Sequence, residues 1–173
     1  MERISIRRLQ AGLLLAVVVL HSLGVFAGTT TGSLTVTATV SSACSLSSGG
    51  TASFGSYDAV TANATSPLTV DTSFQLQCTN GTNPYIMLSQ GNYASSGSTD
   101  ALPIRNMSDG QGHLLNYQLY TTAGRTTIWD NAVGLKQPAT GLMQTIKVYG
   151  SIPAGQNVPV GSYLDTVVIT VSY

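Results

Sequence analysis

The chain has 173 residues, a formal net charge of zero and only 8% charged residues, so neither a basic nor an acidic face is available to recruit an oppositely charged partner. Beyond residue 27, Arg105, Arg125, Lys136 and Lys147 stand against six aspartates, a net charge of −2 with no cluster of cations. That excludes nucleic acid, whose phosphates are bound by grouped Lys and Arg.

At the start of the chain, Arg3, Arg7 and Arg8 precede the apolar run Ala11 to Leu20, and Val25-Phe26-Ala27 offers small residues where a signal peptidase cuts. Residues 1–27 are therefore read as a signal peptide with cleavage after Ala27. An uncleaved anchor needs about 20 apolar residues, and His21, Ser22 and Gly24 interrupt the run too early. Removing 27 of 173 residues leaves 146, enough for one domain.

Directly after the signal, Ser33-Leu34-Thr35-Val36-Thr37-Ala38-Thr39-Val40 alternates apolar and polar residues, the pattern of a strand with one buried face. Mature exported chains usually begin with a loose tail, so a terminus this ready to pair suggests a segment kept for another molecule's sheet edge. The scarcity of charge fits close packing against copies of the same chain, because few charges would need desolvation at each contact. Many extracellular β-proteins share this composition.

Cys44 and Cys78 both lie in the exported portion, where oxidation is the default, and are expected to form one disulfide. Closing a loop of roughly 35 residues stabilises by about 4 kcal/mol in the chain-entropy view. Zinc is the competing use of cysteine, but two cysteines and one histidine beyond the signal, His113, fall short of a structural site.

The rest reads as strands and turns without an amphipathic helix. Short strands are expected at Cys44 to Leu46 and around Thr51 to Phe54, followed by a turn-rich stretch from Gly55 to Pro67. Leu68 to Cys78 alternates well and ends in the turn signal Thr79-Asn80-Gly81. Further strands are predicted at Tyr85 to Ser89, Leu102 to Met107, Leu114 to Thr121, Met143 to Ile152 and Tyr163 to Tyr173. The Ser- and Gly-rich segment Gly91 to Asp100 should be an exposed, mobile loop. Short strands parted by Gly, Asn, Ser and Pro indicate an all-β sandwich.

In the last run, Tyr163, Asp165, Val167, Ile169, Val171 and Tyr173 share one parity, and the sequence ends inside the run. An immunoglobulin-like sheet normally adds another strand there; without it the sandwich has an unpaired edge and a groove open to its core. The run at 33–40 could close that groove in its own subunit or in a neighbour, and an extra strand at one end with a missing one at the other favours the neighbour.

Ala43-Cys44-Ser45-Leu46, Ala52-Ser53-Phe54-Gly55, Phe74-Gln75-Leu76-Gln77-Cys78, Leu115-Asn116-Tyr117-Gln118-Leu119-Tyr120, Val148-Tyr149-Gly150-Ser151-Ile152-Pro153 and Gly161 to Val171, in this order after the alternating run, resemble the spore coat U domain family. Its best understood members are subunits of archaic, Csu-type chaperone–usher pili. The resemblance implies an incomplete immunoglobulin-like pilin over residues 42–173 that is completed by a donated N-terminal strand, residues 28–41. Leu34, Val36, Ala38 and Val40 would be the donor side chains, with Gly28 to Gly32 leading. Ala38 is smaller than a typical groove-filling residue, so its pocket would be shallow. Val167, Ile169 and Val171 would lie along the groove and pair with the edge of a periplasmic chaperone. The partners implied are related pilin subunits, that chaperone and an outer-membrane usher, and the product is a cell-surface pilus supporting adhesion and biofilm formation. No cofactor, metal or catalytic residue is implied.

Other chemistry is thin. A serine nucleophile wants a histidine base and an orienting carboxylate, but His113 in Gly110-Gln111-Gly112-His113 reads as a surface residue in a turn entering a strand. Asp100, Asp109 and Asp130 fit no calcium-loop pattern and read as solvated loop carboxylates. Trp129 in Thr127-Ile128-Trp129-Asp130 suggests a sugar-stacking face if exposed, although its strand-like setting favours partial core packing. Sequons at Asn63, Asn80 and Asn106 suggest loop positions. The rival functional class is a self-complemented, secreted adhesive or carbohydrate-binding module. A tip adhesin would need a binding domain besides the pilin domain, so shaft or adaptor is preferred.

Overall fold

Alternation over eleven residues builds the longest strand of the computed structural model, which describes residue 24, residues 27–47 and residues 49–173. The expected signal segment falls outside the described residues except at Gly24 and Ala27. The strands, in chain order, are β1 (Cys44–Leu46), β2 (Leu68–Cys78), β3 (Tyr85–Leu88), β4 (Arg105–Ser108), β5 (Leu114–Tyr120), β6 (Leu135–Lys136), β7 (Gln144–Ile152) and β8 (Ile169–Ser172). They form two antiparallel sheets, one of five strands in the order β1-β2-β7-β5-β4 and one of three in the order β6-β3-β8.

The strand with the clearest period lies in the interior of its sheet, second from one edge: β2 pairs with β7 from Leu68↔Ile152 to Leu76↔Gln144. Its inward residues Phe74, Leu76 and Cys78 meet Ile146, Val148 and Ile152 of β7, Leu115, Tyr117 and Leu119 of β5, and Ile86 and Leu88 of β3 in one buried core. Alternating side chains belong to opposite faces of a strand, so one face of each joins that core. On β7, Gly150 is required by a close approach, since a Cβ there would lie 2.7 Å from Phe54 and 2.8 Å from Val70.

Cys44 lies opposite Cys78 in the β1–β2 register, and the two form the expected disulfide. Trp129 is fully buried and donates from Nε1 to the Ile86 carbonyl at 2.7 Å, which removes the sugar-stacking reading. Two of the three sequon asparagines are buried rather than displayed: Asn63 within its turn, and Asn106 on β4. Asn106 donates to the Tyr93 carbonyl and to Ser95 Oγ, both at 2.8 Å, so the largely exposed loop from Gly91 to Asp100 is tethered to β4.

Three stretches add to the sequence reading or depart from it. Residues 51–54 form no strand; Phe54 instead packs edge-on against Tyr117, with ring centroids 6.2 Å apart. The two-residue β6 was not foreseen, being too short to show a period. Residues 33–40 adopt no ladder, and all are exposed, with Leu34 at 87%, Val36 at 82% and Val40 at 83%. Their alternation describes a strand that has no partner strand among the described residues.

Candidate functional site

The smaller sheet ends at β8, whose second edge carries no strand among the described residues. Ser89 donates its N–H to the Val168 carbonyl at 3.0 Å, while Ser89 Oγ accepts from Val168 N–H at 2.9 Å. Backbone groups alternate in direction along a strand, so those of Val167, Ile169 and Val171 point to the vacant edge. Their side chains are half-buried, whereas Leu164 and Val168, of opposite parity, are 71% and 58% exposed.

Beneath this edge the two sheets part around a cavity of about 440 Å³. Gly49, Gly50, Ala52 and Phe54 form one wall, residues 163–167 with Ile169 the other, and Phe74, Leu88, Met107, Tyr117, Leu119 and Val148 the floor. The walls come together at Gly49, where a Cβ would lie 3.8 Å from Ile169 Cδ1. Toward Tyr163 and Leu164 the cavity adjoins a second one of about 820 Å³ that shares Ala52, Phe54 and Met107 in its lining and extends to Val60 and Val160. The result is a groove with an apolar floor and an unpaired backbone edge. Chemically it can bury alternating apolar side chains and pair a backbone at once.

Thr51, Thr72, Ser73 and Thr166 also line the first cavity, and the one charged side chain in its lining is hydrogen-bonded. Asp165 turns its carboxylate inward: Oδ2 accepts from the Tyr117 hydroxyl at 2.6 Å, and Oδ1 from the N–H groups of Asn92 and Thr166, both at 2.8 Å. Burial, reinforced by the Asp165 carboxylate, pushes the Tyr117 phenol far above its usual range, so it stays a donor. Behind it, opposite Tyr117 in the β4–β5 register, lies the fully buried Arg105. Its guanidinium donates to the carbonyls of Ser89, Leu88 and Trp129 at 2.8–2.9 Å and to Gln118 Oε1 at 2.7 Å. Burial pulls it down to about 10, against the favourable charge of Asp165 and Asp130. Arg105 thereby ties both sheets and the Trp129 loop together. From sequence, Arg105 counts only toward net charge and is given no role; its place inside the predicted strand Leu102 to Met107 was the available signal.

Of the expected groove residues, Val167 and Ile169 line the cavity, and Val171 packs against the core beyond the lining. Leu34, Val36, Ala38 and Val40 are all exposed. His113 is exposed on the turn before β5, its Nδ1 2.6 Å from Asp109 Oδ2. Among the described residues no group of three or more His, Cys, Asp or Glu could hold a metal ion.

An all-β sandwich of this connectivity has the fold of chaperone–usher pilins. It is similar to a chaperone–usher pilus structure described for the molecular basis of rod uncoiling, with a TM-score of 0.54 and 15% identity over 83% of this chain and 95% of that one. The chain belongs to the Spore Coat Protein U domain family, which its residues 30–170 match. It is 42% identical over 157 residues to Protein U of Myxococcus xanthus, covering 85% of this chain and 87% of that protein. A more partial likeness is to the CsuC–CsuE chaperone–tip adhesion subunit pre-assembly complex of the archaic Csu pili of Acinetobacter baumannii. There the TM-score is 0.48 and the identity 21%, over 78% of this chain and 40% of the matched chain.

Proposed function

We propose that this protein is a structural subunit of a chaperone–usher surface fibre that polymerises by donor-strand exchange. The pairing of an open apolar groove with an exposed alternating segment carries the reading. In it, residues 1–27 direct export, residues 28–41 are the donor and residues 42–173 the acceptor domain. Leu34, Val36, Ala38 and Val40 enter a neighbour's groove while the donor backbone pairs with the vacant edge at Val167, Ile169 and Val171. Eight extended residues span about 26 Å and the nine from Tyr163 to Val171 about 30 Å, so the two lengths are compatible.

Burying three or four such side chains, at about 1.5–3 kcal/mol each, contributes roughly 5–10 kcal/mol before ordering costs. Pairing a sheet edge that would otherwise be exposed adds to this. A periplasmic chaperone occupies the same groove until an outer-membrane usher presents the next subunit, and the finished pilus serves adhesion and biofilm formation. Exchange needs no nucleotide, because the better-fitting strand displaces the poorer one.

The decisive experiment replaces Val36 by Asp in the mature chain and co-expresses it with the cognate chaperone and usher. The expected result is loss of polymers by electron microscopy and size-exclusion chromatography, with the domain's melting temperature and chaperone complex retained. Fibres of normal length would overturn the donor assignment.

A further inference from the structure

The wall of the groove formed by residues 163–168 lies largely outside the sheets. Leu164 makes an isolated bridge to Ser108 of β4, with both N–H···O bonds at 2.9 Å, and ladder pairing resumes only at Ile169. Between these points the chain passes from the edge of one sheet to the edge of the other, and its backbone is held at Val168 by Ser89. In the stretch between them Val167 packs against the core, and the side-chain hydrogen bonds run through Asp165.

Three features converge on its carboxylate. The Tyr117 hydroxyl reaches it from the groove floor, and Asn92 N–H reaches it from the loop after β3. Gly91 makes room: with φ at +83°, its missing Cβ would lie 2.1 Å from Asp165 Oδ2. Tyr117 is itself set by Phe54, which belongs to the opposite wall. One carboxylate therefore links wall, floor and an adjoining loop, and the floor residue touches the far wall.

We infer that Asp165 is a positioning residue for strand acceptance: through Tyr117 and the Gly91–Asn92 turn it holds the groove wall extended and open before an incoming strand arrives. The inference rests on the donor-strand reading above. A wall ordered beforehand spares an arriving strand the entropic cost of ordering it, so loss of the link slows capture.

The test follows binding of a fluorescent peptide with the sequence of residues 28–41 by stopped flow to mature chains that all carry Val36→Asp, so that their own leading segments do not compete for the groove, with melting temperatures measured in parallel. Asp165→Asn and Gly91→Ala are each expected to slow peptide association about tenfold, and the milder Tyr117→Phe about threefold. Asp165→Asn combined with Tyr117→Phe should be no slower than Asp165→Asn alone, because both act on one link. Ile146→Val, a core truncation outside the groove lining, serves as control; it should lower the melting temperature and leave the rate unchanged. Tyr117→Phe keeps the ring and supplies the answer if the other variants do not fold. Unchanged association rates in Tyr117→Phe and in every folded variant overturn the inference and leave the donor-strand reading standing. Failure of the folded chain carrying Val36→Asp alone to bind the peptide overturns both.

Discussion

The closed and open halves of the sandwich are built from equally apolar strands and differ in what lies opposite them. Between β2, β7, β5 and β3, the side chains of Leu76, Ile86 and Ile152 are at most 1% exposed, and Trp129 and Arg105 have all their polar atoms engaged. Along residues 163–171 the inward side chains reach only half burial, because no strand covers them among the described residues. The same alternation thus yields a finished core on one side and an open groove on the other. What separates them is the presence of a partner strand, a property that residue type alone does not carry.

That contrast breaks first where an edge strand is pinned to the closed half. Replacing Cys44 and Cys78 together by Ser should lower unfolding free energy by about 4 kcal/mol, measured by urea titration of oxidised wild type against the variant. A loss below about 1 kcal/mol would mean that β1 contributes little to the domain. Arg105→Met should cost about 3 kcal/mol, since it strips donors from three buried carbonyls while relieving the burial of one charge. If Met proves neutral, the guanidinium is not the tie between the sheets.

A smaller effect comes from pH. The Tyr117 phenol is raised above its ordinary value of 10.0 by burial and by Asp165. A raised folded value gives stability that is complete below the unfolded value and fades as pH climbs above it. Between pH about 9 and about 11, wild type should therefore lose more stability than Tyr117→Phe, read from denaturation midpoints. Equal losses would place the hydroxyl in contact with solvent. The least effect on the fold is expected from Leu34→Ala, at under about 0.5 kcal/mol, as for an exposed residue. Its consequence should appear in assembly, as shorter polymers at equal protein concentration. A large drop in melting temperature would instead assign Leu34 to the fold of its own chain.

Much of the closed half was legible in sequence because long alternation leaves few registers open. The bounds of β2 were read without error, and those of β7 to within one residue. The last strand was expected from Tyr163, yet the ladder begins at Ile169; residues 163–168 carry the right pattern but cross between sheets at Leu164, a change of partner that periodicity does not record. Arg105 was opaque for a different reason. A cation reads as solvated by default, and only the carbonyls of Leu88, Ser89 and Trp129, brought together by distant strands, make an interior place for it. Asp165 left a trace, since it shares its parity with Val167 and Ile169 and so faced inward from the start.

The position of the disulfide has a mechanical consequence. The exposed leading segment joins the domain through β1, three residues long and, among the described residues, bonded on one side only, to β2. Under tension such a short strand would unzip one bond at a time. The Cys44–Cys78 link instead passes the load at once into β2, whose eleven residues lie between β1 and β7, so the pull is spread as shear along the interior of the larger sheet.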